Sequence, residues 1–80
     1  MDKGEIIKKI QEIFQDLLDD ESFVIDRNYT KNDIKDWDSL FHMTMMQTVA
    51  SEFNIEISID EIVKTDNTDF LVELVNEKLK

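Results

Sequence analysis

Apolar positions recur at helical spacing along most of the chain. Ile6, Ile10, Ile13, Phe14, Leu17 and Leu18 form one stripe at a period near 3.6 residues, which predicts an amphipathic first helix. Asp2 is placed to cap it, with Glu5 three residues later to reach back. The run Asp19-Asp20-Glu21-Ser22 predicts its end, because acids oppose the negative pole of the helix dipole. A second helix is predicted from Asp38 or Ser39 to about Phe53, where Asn54 stops it. Met45, Met46, Val49, Ala50 and Phe53 share one side of it. Ser39, Met43 and Gln47 share the other, with Leu40 near them, so two of the three clustered methionines point inward and one outward. Ser58-Ile59-Asp60-Glu61 is a capping box with Ile57 and Ile62 at staple positions, and it predicts a short third helix to about Lys64. After a turn at Thr65-Asp66-Asn67-Thr68, a fourth helix turns Leu71, Leu74, Val75 and Leu79 inward, with Phe70 beside them.

Between Glu21 and Trp37 no period holds. Phe23, Val24, Ile25, Tyr29, Ile34 and Trp37 alternate irregularly with the turn formers Asn28, Thr30, Asn32 and Asp33. So long a connection in a small domain is expected to pack across the helix ends. Ile55-Glu56-Ile57 alternates like a strand, but one triplet cannot build a sheet. The expected fold is all-α: an antiparallel four-helix bundle of three main helices and a short third one, with a long first loop, in a single domain over residues 1-80.

Composition narrows the function. The 80 residues carry 9 Lys plus Arg against 19 Asp plus Glu, a formal net charge of -10, which opposes binding to nucleic acid or anionic membranes and favours partners with basic patches. Hydrophobic residues make up 41%, and their patterning allows a core. With no cysteine there is no disulfide, thiolate metal site or thiol nucleophile, and one glycine leaves no glycine-rich phosphate loop. No apolar run approaches the roughly 20 residues of a membrane span. Met1-Asp2-Lys3-Gly4-Glu5 lacks the start of a signal peptide, so a cytoplasmic monomer is expected.

The candidates for catalysis are few. His42 is the only histidine. It stands three residues after Ser39, but no oriented third partner or oxyanion hole accompanies the pair, so His42 reads as a partly buried packing residue. Asp26, Asn28 and Thr30 imitate a calcium loop, which fails at Lys31 and Trp37, where a glycine and a bidentate glutamate are required. No catalytic residue and no metal site are expected. The most informative stretch is Asp36-Trp37-Asp38-Ser39-Leu40: a capped helix start with an exposed hydroxyl, at a helix N-terminus that favours phosphate.

Here the chain resembles the acyl carrier protein family. Asp38-Ser39-Leu40 looks like the family's Asp-Ser-Leu attachment motif. Glu52-Phe53, Ile55-Glu56-Ile57 and Asp60-Glu61 match the end of the family's second helix and the start of its third. The form Trp37-Asp38-Ser39-Leu40-Phe41-His42 is similar to that of specialised, free-standing carriers. The resemblance implies that a carrier-protein synthase (phosphopantetheinyl transferase) attaches 4′-phosphopantetheine from coenzyme A to Ser39. The arm's thiol would carry acyl groups as thioesters to partner enzymes of fatty-acid, polyketide or related biosynthesis, the protein itself catalysing nothing. Asp38 would cap the helix and aid recognition. Leu40, Met43, Asp36 and Glu52 would contact partners, among them an acyl ligase or acyltransferase and synthases with basic docking patches. Met45, Met46, Val49, Phe53, Ile57 and Leu74 would be the core and the candidate shelter for an acyl chain, with plain packing as the simpler role. Trp37 would cover the helix end, or else meet a partner. An aminoacyl or peptidyl carrier, and a helical interaction module without an arm, are the alternatives. The family's acidic second helix is missing, since no charged residue other than His42 stands between Ser39 and Ser51. The acids flank it instead, and no Lys or Arg occurs from Asp36 to Val63.

Overall fold

The computed structural model describes all 80 residues and contains four helices: α1 (Lys3–Leu18), α2 (Ser39–Phe53), α3 (Ile59–Lys64) and α4 (Thr68–Lys78). Each begins at a side chain that accepts from an otherwise unpaired amide of the first turn: Asp2, Asp38, Ser58 and Asn67. The capping box at Ser58 and Glu61 is complete. At α1 only half of the expected exchange forms, because Glu5 N–H donates to Asp2 but no bond returns from the Glu5 side chain. Both long helices end on a left-handed residue, Asp19 at φ 53° and Asn54 at φ 54°. In each case the next amide reaches back five residues, Asp20 N–H to Gln15 O and Ile55 N–H to Ala50 O. A short polar side chain tolerates the left-handed region better than other non-glycine residues, which suits a chain with a single glycine.

The α1 stripe supplies the middle of the core. Ile6, Ile10, Ile13 and Phe14 are buried, and α1 packs against both α2 and α4. From α2 come Met45, Met46, Val49 and Phe53, with Met43 outside, as the periodicity predicts. Ile57 and Leu74 are only partly buried and pack against this core. The inner face of α4 differs from the prediction. Thr68, Leu71, Val72 and Val75 are buried, at the i, i+3, i+4, i+7 spacing of a helical stripe. Leu79 falls on the C-cap beyond the last turn and Phe70 on the flank, and both are exposed. Helix α3 has no fully buried residue.

The connection from Asp19 to Asp38 is packed across the bundle. Ile34 and Trp37 are buried, and Phe23, Ile25 and Tyr29 pack partly against the core. Val24 points out. Gln15 Nε2–H donates to Phe23 O at 2.8 Å, and Ile25 N–H donates to Gln11 Oε1 at 2.8 Å, which fastens the first half to α1. The second half is fastened to α4. Tyr29 N–H donates to Thr68 Oγ1 at 2.9 Å, Thr68 N–H returns a bond to Tyr29 O at 2.8 Å, and Asp69 N–H donates to Asn28 Oδ1 at 2.9 Å. Asn28 thereby gives α4 a second cap from outside its own segment. Ile55-Glu56-Ile57 forms no strand, and the lone β-bridge joins Thr30 to Asn67.

Thr68→Val keeps the shape of this fully buried side chain but leaves the Tyr29 amide without its acceptor. A stability loss of about 1–2 kcal/mol is expected, in line with an unpaired, partly buried donor. Chemical denaturation measures it, and faster amide exchange at Tyr29 accompanies it.

Candidate functional site

The start of α2 gathers the residues singled out in the sequence. Asp38 Oδ1 accepts from Phe41 N–H at 2.9 Å, which satisfies the third amide of the helix and holds a carboxylate at its positive end. Ser39 is the first helical residue and is exposed. Its hydroxyl engages no protein group, and the amides of Ser39 and Leu40 point to no internal acceptor. Two other serines are already occupied: Ser58 caps α3, and Ser22 donates to Asp20 Oδ1 at 2.6 Å.

Behind this turn lies Trp37, 4% exposed, so it covers the helix end and is no partner contact. Its ring meets Phe14 edge-on at 5.5 Å and lies 6.4 Å from Phe41. Trp37 Nε1–H donates to His42 Nδ1 at 2.9 Å, and His42 Nε2–H donates to the Ile62 carbonyl at 2.7 Å. His42 is 6% exposed with both ring nitrogens engaged. It therefore has no free lone pair to take a proton from Ser39, and a Ser-His nucleophile is not formed. The bond to Ile62 brings α3 to the start of α2.

Around Ser39 the surface is apolar at its centre and acidic at its edge. Leu40 is 78% exposed and Met43 is also outside, with Asp36 and Asp38 before them. On α3, Ile59 is 77% and Val63 71% exposed. These two were missed in the sequence, although their spacing of four residues, with Ile62 turned to His42, marks them as the outer face of a short helix. Glu52 does not join this group. It stands 13 residues along α2, about 20 Å from Ser39 at 1.5 Å per residue. There it lines a groove between α1 and α2 with Lys9, Glu12, Asp16 and Thr48. Met45, Met46, Val49 and Phe53 are closed against one another, and of the six proposed core residues only Ile57 borders a principal surface groove.

Helix α3 is held by charge as well. Lys78 Nζ lies 2.9 Å from Glu61 Oε1. That contact, followed by the Ser58 amide, holds the Glu61 carboxyl below its ordinary value of 4.5. No three His, Asp or Glu side chains converge to hold a metal ion, and no helix is long and apolar enough to cross a membrane.

No protein-family model matches the chain. The acyl carrier protein of Petrotoga mobilis is 33% identical over 81 residues, covering 99% of this chain and 93% of that protein. The solution structure of a holo acyl carrier protein from Geobacter metallireducens superposes with a TM-score of 0.83 at 34% identity, covering 92% of this chain and 85% of the other.

Two substitutions test the supports of the site. Asp38→Ala removes the α2 cap and is expected to cost about 1 kcal/mol, while Asp38→Asn retains most of the bond; urea unfolding separates them. Glu61→Gln removes the carboxylate that Lys78 and Ser58 stabilise. A depressed folded value means that this stabilisation is present above the unfolded value and is lost as pH falls through the folded one. The stability difference between the native chain and Glu61→Gln is therefore expected at pH 7 and is expected to fade below pH 4.5, by thermal unfolding at stepped pH.

Proposed function

The chain belongs to the acyl carrier protein family, and on that premise we propose that it carries acyl groups on a 4′-phosphopantetheine arm attached to Ser39. The single observation that carries this reading is the state of Ser39: an exposed, unengaged hydroxyl on the first residue of α2, beside two amides without acceptors. A phosphodiester fits such a place, because unpaired amides and the helix dipole favour an anion. The arm, when attached, supplies the thiol that a chain without cysteine lacks.

The chain's own residues do the rest by presentation. Asp38 is fixed on the Phe41 amide, so its charge stands beside the hydroxyl in one orientation. Asp36 and Asp38, with Asp60 across on α3, offer an acidic rim to a carrier-protein synthase or another enzyme with a basic docking patch. Leu40 and Met43 give that contact an apolar centre. With both its nitrogens engaged, His42 is not available as a base for acyl transfer, and in this reading loading falls to an acyl ligase or acyltransferase. Met45, Met46, Val49 and Phe53 serve as packing in this reading, in keeping with their closed burial. Fatty-acid, polyketide or related specialised synthesis is the setting in which such a carrier works.

Incubation of the apo chain with coenzyme A and a broad-specificity phosphopantetheinyl transferase is expected to add ~340 Da to the intact mass, the composition of the arm. Ser39→Ala is expected to abolish the gain. No gain with several transferases would sink the proposal. Loading of the modified chain by an acyl ligase rather than an aminoacyl ligase separates an acyl carrier from an aminoacyl or peptidyl one.

A further inference from the structure

An indole nitrogen has only a proton to give. The 2.9 Å bond from Trp37 Nε1–H therefore makes His42 Nδ1 an acceptor without a proton. A carbonyl oxygen only accepts, so the 2.7 Å contact with Ile62 puts the ring's proton on Nε2. Both bonds are satisfied by one tautomer of the neutral ring and by no other state. If Nδ1 gains a proton, two N–H groups face each other across 2.9 Å, inside packing that admits almost no water. The Ile62 bond survives the same event, because Nε2 keeps its proton.

No carboxylate stands ready to compensate. The structure has four ion pairs, and His42 is in none. Of the charged residues on the elements packed against it, Asp38 is committed to the Phe41 amide and Glu61 to Lys78. Asp36, Asp60 and Lys64 are exposed and unpaired with the ring. On the α1 side Lys9, Glu12 and Asp16 line the groove at the far half of α2, with Thr48 and Glu52.

The two bonds join parts that little else joins. Trp37 is the last buried residue of the connection before Ser39, and Ile62 belongs to a helix with no fully buried residue. We propose that His42 is a positioning residue that ties the connection before Ser39 to α3 through its Nε2–H tautomer, and that protonation at Nδ1 releases Trp37 while keeping the hold on α3. This goes beyond the carrier reading and does not depend on it.

The test uses the full chain, labelled with nitrogen-15 and without any arm. At pH 8 the imidazole spectrum is expected to show an unprotonated Nδ1 and a protonated Nε2. On acidification the indole N–H of the single tryptophan is expected to move toward its solvent position in step with the imidazole's titration. Its protection against hydrogen exchange, taken relative to the intrinsic rate at each pH, should fall about fivefold to tenfold, the equilibrium worth of one hydrogen bond. The helical circular dichroism should persist. The opposite tautomer, or an indole signal that stays fixed through the titration, overturns the proposal. Trp37→Phe keeps an aromatic ring without the donor, and the acid response of the amides at positions 36 to 38 is expected to vanish in it. An unchanged response there would trace the effect to the general loss of carboxylate repulsion and would also overturn it. Should that variant fail to fold, the tautomer and the indole signal of the native chain decide.

Discussion

The bundle depends on the aromatic cluster around Phe14. That ring is fully buried on α1 and lies 5.6 Å from Phe23, 5.5 Å from Trp37 and 5.7 Å from Phe41. Phe23 begins the connection, Trp37 ends it, and Phe41 is in the first turn of α2. One side chain thus joins the first helix, both ends of an irregular stretch and the helix that starts with Ser39. Aromatic contacts of this kind contribute about 0.5–1.5 kcal/mol each beyond their buried area. In a domain of 80 residues, whose core yields only a modest net stability, the contacts with Phe23 and Trp37 add to the hydrogen bonds that fix the course of the connection, and the contact with Phe41 seats the start of α2. Trp37, the neighbour of Asp38, thereby helps to place the carboxylate that caps α2.

What was legible in the sequence follows from range. Helix limits came within a residue or so because caps are local: an Asp, Asn or Ser and the amide it accepts from lie three residues apart. The inward face of α2 was legible for a similar reason, as periodicity needs no knowledge of the partner. The Asp38 cap was legible for the same reason, whereas an attachment role for Ser39 came from the resemblance of Asp38-Ser39-Leu40 to a family motif. The errors arose where distant residues decide. Leu79 continues the numerical pattern of α4, but the helix ends before it does. Thr65 and Thr68 read as turn formers, yet both are fully buried. The Thr68 hydroxyl takes up the Tyr29 amide 39 residues away, a pairing that no local pattern encodes. The role of His42 lay half within reach. It read as a partly buried packing residue, but its partners Trp37 and Ile62 come from opposite sides in sequence.

The net charge of -10 is distributed with a consequence for shape. Helix α2 carries none of it between Ser39 and Ser51, so its inner residues pack without nearby repulsion and its outer residues can be apolar. Leu40 and Met43 remain outside in a protein rich in acids. Exposed apolar side chains grouped at one end of a charged molecule mark a contact surface more readily than scattered ones do. In the proposed carrier role Asp36 and Asp38 would lie at the rim of such a contact, where charge governs the rate and choice of partners more than the strength of the complex.

Helix α3 follows a different rule from the other three. It has six residues and buries none of them fully, with Ile62 alone packed partly against the core. Isolated helices of that length are unstable in water. Beside that contact it is held at its ends and by individual bonds: the Ser58–Glu61 box, the Thr65 hydroxyl on Glu61 O at 2.7 Å, Lys78 on Glu61, and His42 on Ile62 O. An element held by polar contacts opens at lower free energy than one held by a buried stripe. Ile59 and Val63 thus stand exposed on the helix with the least buried surface, while Leu40 and Met43 stand exposed on α2, whose inner face is buried.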